Sequence, residues 1–474
     1  MNRNKFLIAA ALLPAALPAW GQQKGKEKRQ PNIIFIMADD LGYSDTGVTG
    51  SDYYETPNID RLATCGMLFT QAYAAAANSA PSRACLLTGL YTPRHGVYTV
   101  SPAARGDKYK RKLIPIENRE VLDTGFYTLA EALKDAGYTC GHVGKWHLGD
   151  DSEGTGPLSQ GFSLNIAGCS AGTPYSYFYP YCDGNGRCMP GLEEGEKGEY
   201  LTDRLTTEAI RFMGSQKNHP FFLYMSHHAV HMPLKAPAAL VEKYRAKVAG
   251  RHHNNPIYAA MIEKLDESVG RLCHALDSLR LTDNSIVIFF SDNGGHEGVT
   301  DNYPLRGGKG TPYEGGTRVP LIISWHGVVT PGSRSNVPVT GVDLYPTLVK
   351  CATGHTPKGV DGEDIFSLLA HPARTRALFW HFPAYLEAYL NNGIPFRATP
   401  YSTIRQGDYK LIHYYEDNSV ELFNLKEDPG EKQNLAPVER GTARHLLKRL
   451  NRWIKATRAP IPTEPNPDYR ATEP

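Results

Sequence analysis

The sequence predicts an α/β protein with one large domain and a smaller C-terminal domain that holds an antiparallel sheet and a helix. Up to about residue 370, apolar runs typical of buried strands alternate with stretches long enough for helices. Segment 258–279 carries apolar residues at steps of three and four, which is typical of a helix packed on a sheet. From about residue 375 the apolar runs become short and are separated by turn residues, which indicates antiparallel strands.

The predicted strands of the large domain are apolar runs spread along its whole length. They lie at Ile33–Met37, Tyr138–Val143, Phe221–Met225, Ile286–Phe290 and Leu321–Ser324. Residues 124–136 form a predicted helix that leads into the second strand. We therefore expect a mixed sheet flanked by helices, with the large domain over 31–374 and the small one over 375–474.

The small domain is predicted to contain four strands and a closing helix. The strands lie at Arg376–His381, Tyr401–Arg405, Lys410–Tyr415 and Glu421–Asn424. Turn residues such as Asp417 and Asn418 separate the last two strands. A helix over 438–456 is expected to complete this domain.

The N-terminus has the features of a cleavable export signal. Arg3 and Lys5 precede an apolar run at 6–17, and small residues follow it. Residues 1–21 are the predicted signal peptide and 22–30 a polar linker, so we expect a periplasmic or secreted protein. The run is too short to cross a bilayer and no second long apolar stretch follows, so no membrane span is expected.

Charged residues are nearly balanced, with 51 Lys and Arg against 49 Asp and Glu. Arg3 and Lys5 of the predicted signal peptide account for the formal net charge of +2, so the mature chain is near neutral. This balance gives no electrostatic support for a nucleic-acid partner. With 474 residues and 41% hydrophobic content, the chain can bury a large core.

Eight cysteines in an exported chain make disulfides possible. Cys182 and Cys188 flank the turn-forming run 183–187 and are the predicted disulfide pair. Five others lie in helical or apolar contexts and are expected to be reduced: Cys65, Cys85, Cys140, Cys273 and Cys351. The spacing of cysteine and histidine does not indicate zinc.

Polar side chains follow the first four predicted strands at the point where each strand ends. They are Asp39 and Asp40, Lys145 and His147, His228 and His231, and Asp292 and Asn293. Ligands of open α/β sheets bind beyond the carboxyl ends of the strands, so we expect these groups to converge. His227 adjoins His228, and because alternate residues of a strand face opposite ways, at least one of them is expected in the core or on the surface.

Four of these residues offer hard oxygen ligands. Asp39, Asp40 and Asp292 supply carboxylates, and Asn293 supplies an amide oxygen. Such donors suit Ca²⁺ or Mg²⁺ better than Zn²⁺. We expect Ca²⁺, with Mg²⁺ as the second choice.

The pentapeptide Ser-Ala-Pro-Ser-Arg at 79–83 places a hydroxyl nucleophile beside a guanidinium. It also reads as a helix start, with Ser79 as N-cap and Pro81 in the first turn. The two interpretations are compatible, because a helix N-terminus favours an anion.

The same pentapeptide resembles the maturation signature of type I sulfatases, in which the first residue is oxidised to formylglycine. Further motifs of that family occur in the family's order at Ala38–Gly42, Thr88–Tyr91, Gly144–Gly149, His231–Pro233, Ser291–Gly295 and Gly308–Gly310. The resemblance extends from residue 31 to 425. It implies the alkaline phosphatase-like fold, hydrolysis of sulfate esters, and matured Ser79 as a further metal ligand.

The resemblance also implies roles for the charged residues. Arg83 and Lys145 would hold the hydrated aldehyde formed from Ser79, and Lys309 would bind the sulfate together with Lys145. His231 would donate a proton to the departing alcohol. His147 would take the proton from the remaining hydroxyl.

A serine at the first signature position implies maturation before export by an anaerobic sulfatase-maturing enzyme. Substrate residues are less determined, and sulfated glycans are the expected class. The whole chain is similar to bacterial exosulfatases, which implies galactose or N-acetylgalactosamine sulfate and favours the 4-position. The candidate substrate-binding residues are Arg94, His95, Tyr177, His228, His381 and Arg397.

Two other classes remain open from the sequence. A phosphoester hydrolase of the same superfamily would also use Lys145 and Lys309, because both would bind phosphate. The oxidisable signature argues against it, because phosphatase relatives need no aldehyde. A catalytically silent glycan-binding protein would be expected to lack a charged site residue, and none is missing here. The aromatic run 175–181 could stack on a sugar or simply pack an insertion.

Overall fold

The structure is a computed structural model that describes residues 29–389 and 394–471. The predicted signal peptide and nearly all of the predicted linker lie outside the described residues. Within these two ranges, no helix combines the length and the apolar character that crossing a membrane requires.

The large domain is built on an eight-stranded mixed sheet. Its strands, and those of a small two-stranded sheet (β3 and β10), are β1 (Asn32–Ala38), β2 (Met67–Phe69), β3 (Ala72–Tyr73), β4 (Thr139–Gly144), β5 (Leu164–Ile166), β6 (Phe221–Ser226), β7 (Ser285–Ser291), β8 (Leu321–Trp325), β9 (Ser333–Ser335) and β10 (Val339–Thr340). The order across the large sheet is β5-β4-β6-β1-β7-β8-β2-β9. The four neighbours β4, β6, β1 and β7 are parallel, while β8 runs antiparallel to β7. All five predicted strands of this domain are present.

Helices cover both faces of this sheet. They are α1 (Pro57–Cys65), α2 (Ser79–Thr88), α3 (Thr92–His95), α4 (Leu129–Asp135), α5 (Leu201–Ser215), α6 (Ala238–Ala246), α7 (Pro256–Ser278), α8 (Glu314–Thr317), α9 (Gly341–Thr353) and α10 (Ile365–Ala370). Along β1, Ile34 and Ile36 face the core shared with α1, α5 and α7. Ile33, Phe35 and Met37 face the core shared with α2, α4 and α9. This burial on both faces explains why β1 is apolar at every position from 33 to 38.

Helix α4 is shorter than the segment 124–136 predicted for it. Thr128 is its N-cap: the Thr128 side chain accepts from the Glu131 N–H, and the Glu131 carboxylate accepts from the Thr128 N–H. This capping box fixes the start of the helix at Leu129, so residues 124–127 lie before it.

The C-terminal domain has the predicted antiparallel sheet and closing helix. Its elements are β11 (Ala377–Phe382), β12 (Leu386–Glu387), β13 (Phe396–Ala398), β14 (Tyr401–Gln406), β15 (Tyr409–Tyr414), β16 (Val420–Asn424) and α11 (Arg440–Thr457). Four strands pair in the order β11-β14-β15-β16, and α11 packs on them through Leu446, Leu450 and Ile454. The short antiparallel pair β12–β13 was not predicted from the sequence.

A buried ionic cluster joins the two domains. Lys410 on β15 places its Nζ atom 3.1 Å from Glu314 Oε1 and 2.8 Å from Glu431 Oε1. The Glu314 carboxylate also accepts a 2.7 Å hydrogen bond from Tyr73. Burial raises the pKa of Glu431 to about 7, although Lys410 opposes the shift. Because α8 carries Glu314 and follows residues 308–310 directly, this cluster fixes the C-terminal sheet beside that loop.

Cys182 and Cys188 are joined in a disulfide that closes the turn between them. The Asp183 carboxylate orders the turn by accepting from the backbone N–H groups of Asn185 at 2.9 Å and Arg187 at 3.0 Å. The other six cysteines are thiols.

Candidate active site

The carboxyl ends of four parallel strands bring the predicted polar groups together. Asp39 and Asp40 follow β1, Lys145 follows β4, and Asp292 follows β7. All four side chains are buried, at 0–2% exposure. The backbone N–H of Asp40 donates a 3.2 Å hydrogen bond to Oδ1 of Asp292, which ties the ends of β1 and β7 together.

Ser79 is the first residue of α2 and points into this cluster. Its Oγ atom lies 3.2 Å from Oδ1 of Asp39 and 3.2 Å from Oδ1 of Asn293. The residue is 1% exposed. Pro81 in the first turn lacks the N–H that would have no helical partner there, so the sequence favours a helix start at this point. The Ser79 hydroxyl therefore lies at a helix N-terminus among carboxylate and amide oxygens.

Arg83 lies one helical turn after Ser79 and crosses beneath the site. Its Nε and Nη2 atoms donate to Oδ2 of Asp292 at 3.0 and 2.8 Å, and Nη1 donates to the Lys145 carbonyl at 3.1 Å. Nη1 also contacts the Ser226 hydroxyl. Burial acts to lower the pKa of Arg83, but the carboxylate of Asp292 outweighs it and raises this pKa.

Two lysines hold the two aspartates of the first strand end. Lys145 donates 2.7 Å to Oδ2 of Asp39, and Lys309 donates 2.8 Å to Oδ2 of Asp40. Burial lowers the pKa of Lys145. For Lys309, burial is outweighed by Asp40, so its pKa is raised. Burial would raise the pKa of Asp40, but Lys309 and His231 hold it well below the ordinary value.

The loop that carries Lys309 is fixed by backbone hydrogen bonds to both sides of the site. The Lys309 N–H donates 2.9 Å to the Gly295 carbonyl, and the Gly310 N–H donates 2.8 Å to the Ala77 carbonyl. Gly310 adopts a φ of +88°, a left-handed conformation that favours glycine. Lys309 is thereby placed between the segment before Ser79 and the segment after Asn293.

The oxygen atoms of this cluster fit a hard divalent cation. Asp39, Asp40 and His231 offer ligand atoms that all lie within 4.8 Å of one another. Asn293 Oδ1 and Ser79 Oγ face the same point, since they lie 3.2 Å apart. Burial and the neighbouring Asp39 raise the pKa of Asp292, which shows that these carboxylates repel one another. A divalent cation would relieve that repulsion.

His147 is half-buried and His228 is buried, and both are under-satisfied in hydrogen bonding. Nδ1 of His147 and both ring nitrogens of His228 have no hydrogen-bond partner among the described residues. Burial, reinforced by Lys145, lowers the pKa of both rings well below the ordinary value. The His147 backbone is left-handed, with φ 63°, and its N–H donates 3.0 Å to the Cys169 carbonyl. Both rings are therefore neutral in this arrangement.

His227 points away from the cluster. Its Nε2 atom lies 3.0 Å from the Ser268 hydroxyl of α7, within the core between the helix and the sheet. The expected division of His227 and His228 between opposite faces agrees with this position. His227 is a packing residue.

Three of the candidate substrate residues are packing residues instead. His95 is buried 3.4 Å from the Cys85 thiol, and His381 lies between the Ser402 hydroxyl at 2.7 Å and the Pro460 carbonyl at 3.0 Å. Tyr177 is 1% exposed, and its hydroxyl donates to backbone carbonyls. Their ring or hydroxyl groups are occupied inside the protein, so they are not available to a sugar. These tertiary partners could not be predicted from local sequence patterns.

The two arginines among the candidate substrate residues, Arg94 and Arg397, lie in different surroundings. Arg94 forms an exposed ion pair with Asp361, with Nε 2.8 Å from the carboxylate. Arg397 lines a cleft next to the loop of Lys309. His296 and Tyr389 lie at the same place and were missed from the sequence. Ser226, which accepts from Arg83 and donates 2.7 Å to the Lys145 carbonyl, was also missed, although it ends the third strand.

The arrangement places the Ser79 hydroxyl among carboxylates and three buried cationic side chains, Arg83, Lys145 and Lys309. The sulfatase family model matches residues 31–355, and the model of the C-terminal part of N-sulphoglucosamine sulphohydrolase matches 308–459. The chain therefore belongs to the sulfatase family, and it is a sulfuric ester hydrolase of the alkaline phosphatase superfamily. This family generally uses formylglycine and a metal ion.

Individual relatives resemble the chain over nearly its whole length. A sulfatase of Formosa agariphila is 34% identical and covers 97% of this chain and 95% of its own. The N-acetylgalactosamine-6-O-sulfatase of Bacteroides thetaiotaomicron is 29% identical, with 94% and 97% covered. The crystal structure of Ps i-CgsB in complex with k-i-k-neocarrahexaose superposes with a TM-score of 0.74 at 29% identity, with 90% and 93% covered.

Proposed function

We propose that this protein hydrolyses sulfate monoesters of carbohydrates through a formylglycine made from Ser79. The observation that carries the proposal is the position of Ser79 Oγ, 3.2 Å from both Asp39 Oδ1 and Asn293 Oδ1. A side chain at this point touches the oxygen ligands and lies beside Arg83 and Lys145. Once hydrated, the aldehyde supplies one hydroxyl that attacks sulfur and another that later expels the sulfate.

We further propose that Asp39, Asp40, Asp292 and Asn293, with matured Ser79, hold Ca²⁺. When bound, the ion supplies positive charge that polarises the sulfate and the attacking oxygen. Calcium is favoured because the donors are carboxylate and amide oxygens. Asp292 accepts from Arg83 through Oδ2 and from the Asp40 N–H through Oδ1, so a metal would bind a remaining lone pair of one of these oxygens.

The cationic residues orient the substrate and the nucleophile. The ammonium groups of Lys145 and Lys309 contact the carboxylates of Asp39 and Asp40, respectively. Each ammonium group can rotate away from its carboxylate and bind a sulfate oxygen instead. Arg83 stays fixed on Asp292 and keeps positive charge behind the nucleophile. The burial of these groups excludes water and strengthens each electrostatic contact.

Proton transfer is assigned to two histidines. His231 is proposed to donate a proton to the leaving alcohol, because its Nε2 atom lies beside Lys309 and Asp40 at the solvent side of the site. His147 is proposed to remove the proton from the second hydroxyl. Its ring is neutral and has an unpartnered Nδ1, so it can accept a proton.

The proposed substrate is a sulfated galactose or N-acetylgalactosamine residue. The support comes from relatives: one is named for N-acetylgalactosamine 6-sulfate, and the neighbouring structure contains a carrageenan-type oligosaccharide, k-i-k-neocarrahexaose. The sequence resemblance favours the 4-position and the named relative the 6-position. Assays on N-acetylgalactosamine 4-sulfate and 6-sulfate distinguish these two.

The experiment that tests the function begins with maturation. The chain is co-expressed with an anaerobic sulfatase-maturing enzyme, and the peptide containing Ser79 is analysed by mass spectrometry. Loss of two hydrogens at Ser79 that depends on the maturase, together with release of sulfate from a sulfated sugar, supports the proposal. A serine that stays unmodified in an active preparation contradicts it.

Export to the periplasm or the medium is proposed from residues 1–21.

A further inference from the structure

A cleft of about 660 Å³ opens between the two domains beside the loop of Lys309. Gly307 and Thr311 line it from the large domain, on either side of that lysine in sequence. Tyr389, which follows β12, and Arg397, within β13, line it from the C-terminal domain. A group bound here would lie next to a sulfate held by Lys309.

The cleft contains a stack of three planar side chains. The ring of His296 lies 3.6 Å from the ring centroid of Tyr389 at 28°, and the guanidinium carbon of Arg397 lies 3.6 Å from the same centroid. Two planar groups cannot both occupy one face at that distance, so His296 and Arg397 cover opposite faces of Tyr389. The tyrosine is therefore closed to sugar stacking, and it serves to hold the guanidinium in place.

The backbone of Gly310 adds to this placement. A side-chain carbon at Gly310 would lie only 2.5 Å from Nε of Arg397, so the guanidinium packs directly on that glycine. Nη1 of Arg397 donates 3.0 Å to the Glu387 carbonyl. Arg397 is thus fixed one residue away from Lys309 without contacting a carboxylate.

Arg397 forms no ion pair with any of the residues that the structure describes. Arg83 and Arg376 pair with Asp292 and Asp343 at 2.8 and 2.7 Å, whereas no carboxylate of the described residues lies within 4.0 Å of the Arg397 guanidinium. Its Nε atom is buried and has no hydrogen-bond partner. Burial lowers the pKa of Arg397, the opposite of the direction for Arg83.

The acidic groups near the cleft are otherwise occupied or exposed. Glu387 pairs with Arg105 through Oε1, while its Oε2 has no hydrogen-bond partner among the described residues and lies beyond ion-pair distance of Arg397. The Glu421 carboxylate accepts from the hydroxyls of Tyr313 at 3.0 Å and Tyr414 at 2.9 Å. Glu297 is exposed at the mouth of the cleft. The position beside Arg397 therefore favours an anionic ligand from outside the protein.

We propose that Arg397 binds a second anionic substituent, a carboxylate or a second sulfate, on the glycan whose sulfate ester is cleaved. This inference rests on the proposed function, and it defines the substrate class more closely as a glycan with two acidic groups near each other. A guanidinium held flat by Tyr389 can give two parallel hydrogen bonds to either group.

A measurement of binding affinity tests this inference independently of the catalytic proposal. In a Ser79→Ala background, which needs no maturation, calorimetry compares N-acetylgalactosamine 6-sulfate with the 4,6-disulfate and with a 6-sulfate linked to a uronic acid. We expect the dianionic sugars to bind about 10- to 100-fold more tightly, the size of a charge-assisted pair. Arg397→Met should abolish that difference and leave the affinity for the monosulfate within about threefold.

Arg204→Met is the matched control. Arg204 is a half-buried arginine on α5 that pairs with Glu208, and α5 does not line the cleft. It should retain the preference for dianionic sugars. Tyr389→Leu, which removes the support of the guanidinium, should reduce the preference if Arg397→Met is unstable. Equal affinity of the Ser79→Ala protein for mono- and dianionic sugars would overturn the inference. Which dianionic sugar binds better shows whether sulfate or carboxylate is the ligand.

Discussion

Lys309 donates a 2.9 Å hydrogen bond from Nζ to Nε2 of His231. Lysine has no acceptor, so Nε2 carries no proton in this arrangement. The other ring nitrogen lies 2.6 Å from the Met232 carbonyl and must donate to it. Burial lowers the pKa of His231 to about 4, which agrees with a neutral ring. His231 can act as an acid only after Nε2 is protonated, when Lys309 has turned to the sulfate.

His231→Ala should therefore affect substrates according to their leaving group. We expect kcat on a sugar sulfate to fall about 100-fold or more, and kcat on a nitrophenyl sulfate to fall far less, because an activated phenol needs no proton. Steady-state kinetics on both substrates measure the difference. An equal loss on both would remove His231 from the role of general acid.

Ser79→Ala should abolish turnover without unfolding the protein. The side chain is the nucleophile precursor, and its hydroxyl makes only two contacts of 3.2 Å. Thermal unfolding of this variant should differ from that of the unmodified wild type by a few degrees at most. Ser79→Cys keeps an oxidisable side chain of similar size and is the matched control. Full activity of Ser79→Ala would contradict the mechanism.

Removal of the metal should lower thermal stability as well as activity. Buried carboxylates repel one another around Asp39 and Asp292, so the cation-free protein should unfold at a lower temperature. Dialysis against EGTA, followed by thermal scans with added Ca²⁺ or Mg²⁺, measures this. We expect Ca²⁺ to restore Tm at lower concentration than Mg²⁺. Asp40→Asn should reduce the rise in Tm that the added cation causes. A Tm that changes neither with chelator nor with added cation would contradict the proposed metal site.

Lys410→Met should destabilise the protein by about 3 kcal/mol or more, because it leaves the buried Glu431 without its cation and Glu314 with only the more distant Arg318 at 3.8 Å. Urea unfolding at pH 7 measures the change. A smaller loss is expected for Lys350→Met, which removes a half-exposed partner of Asp364. Similar losses in both variants would contradict a special role for the buried cluster.

Stability should also depend on pH through Glu431. Its pKa is raised from 4.5 to about 7 in the folded state, so the folded protein binds this proton more tightly than the unfolded chain does. The resulting stabilisation is complete below about pH 4.5 and is lost as pH rises through about 7. Glu431→Gln should flatten this part of the profile, measured by the free energy of unfolding between pH 5 and 8. An unchanged slope would assign the dependence to another group.

The convergence of the candidate catalytic residues could be predicted because they follow neighbouring parallel strands, whose ends must meet wherever the helices lie. Asp39 and Asp292 are examples, since β1 pairs with β7 along its length. Substrate residues could not be predicted in this way. His381 depends on partners distant in sequence, Ser402 and Pro460, and the burial of His95 against Cys85 leaves no periodic pattern in the sequence. Tyr389 stands beside strands of only two and three residues, too short for a periodic pattern.

The start of α4 is a second feature that the prediction from the sequence placed wrongly. Residues 124–127 have a composition compatible with a helix, yet Thr128 and Glu131 bind each other's backbone and begin the helix there. The pattern Thr-x-x-Glu was visible in the sequence, and apolar periodicity alone placed the start too early.

The ionic cluster of Lys410, Glu314 and Glu431 has a consequence for truncation. A chain cut after residue 374 would keep Ser79, the aspartates and Lys309, yet it would lose Lys410 and leave Glu314 charged at a newly bared apolar surface. The two folding units are thus one indivisible enzyme, and the C-terminal domain is not a detachable accessory. Natural or engineered exchange of that domain between relatives has to carry along a compatible partner for Glu314.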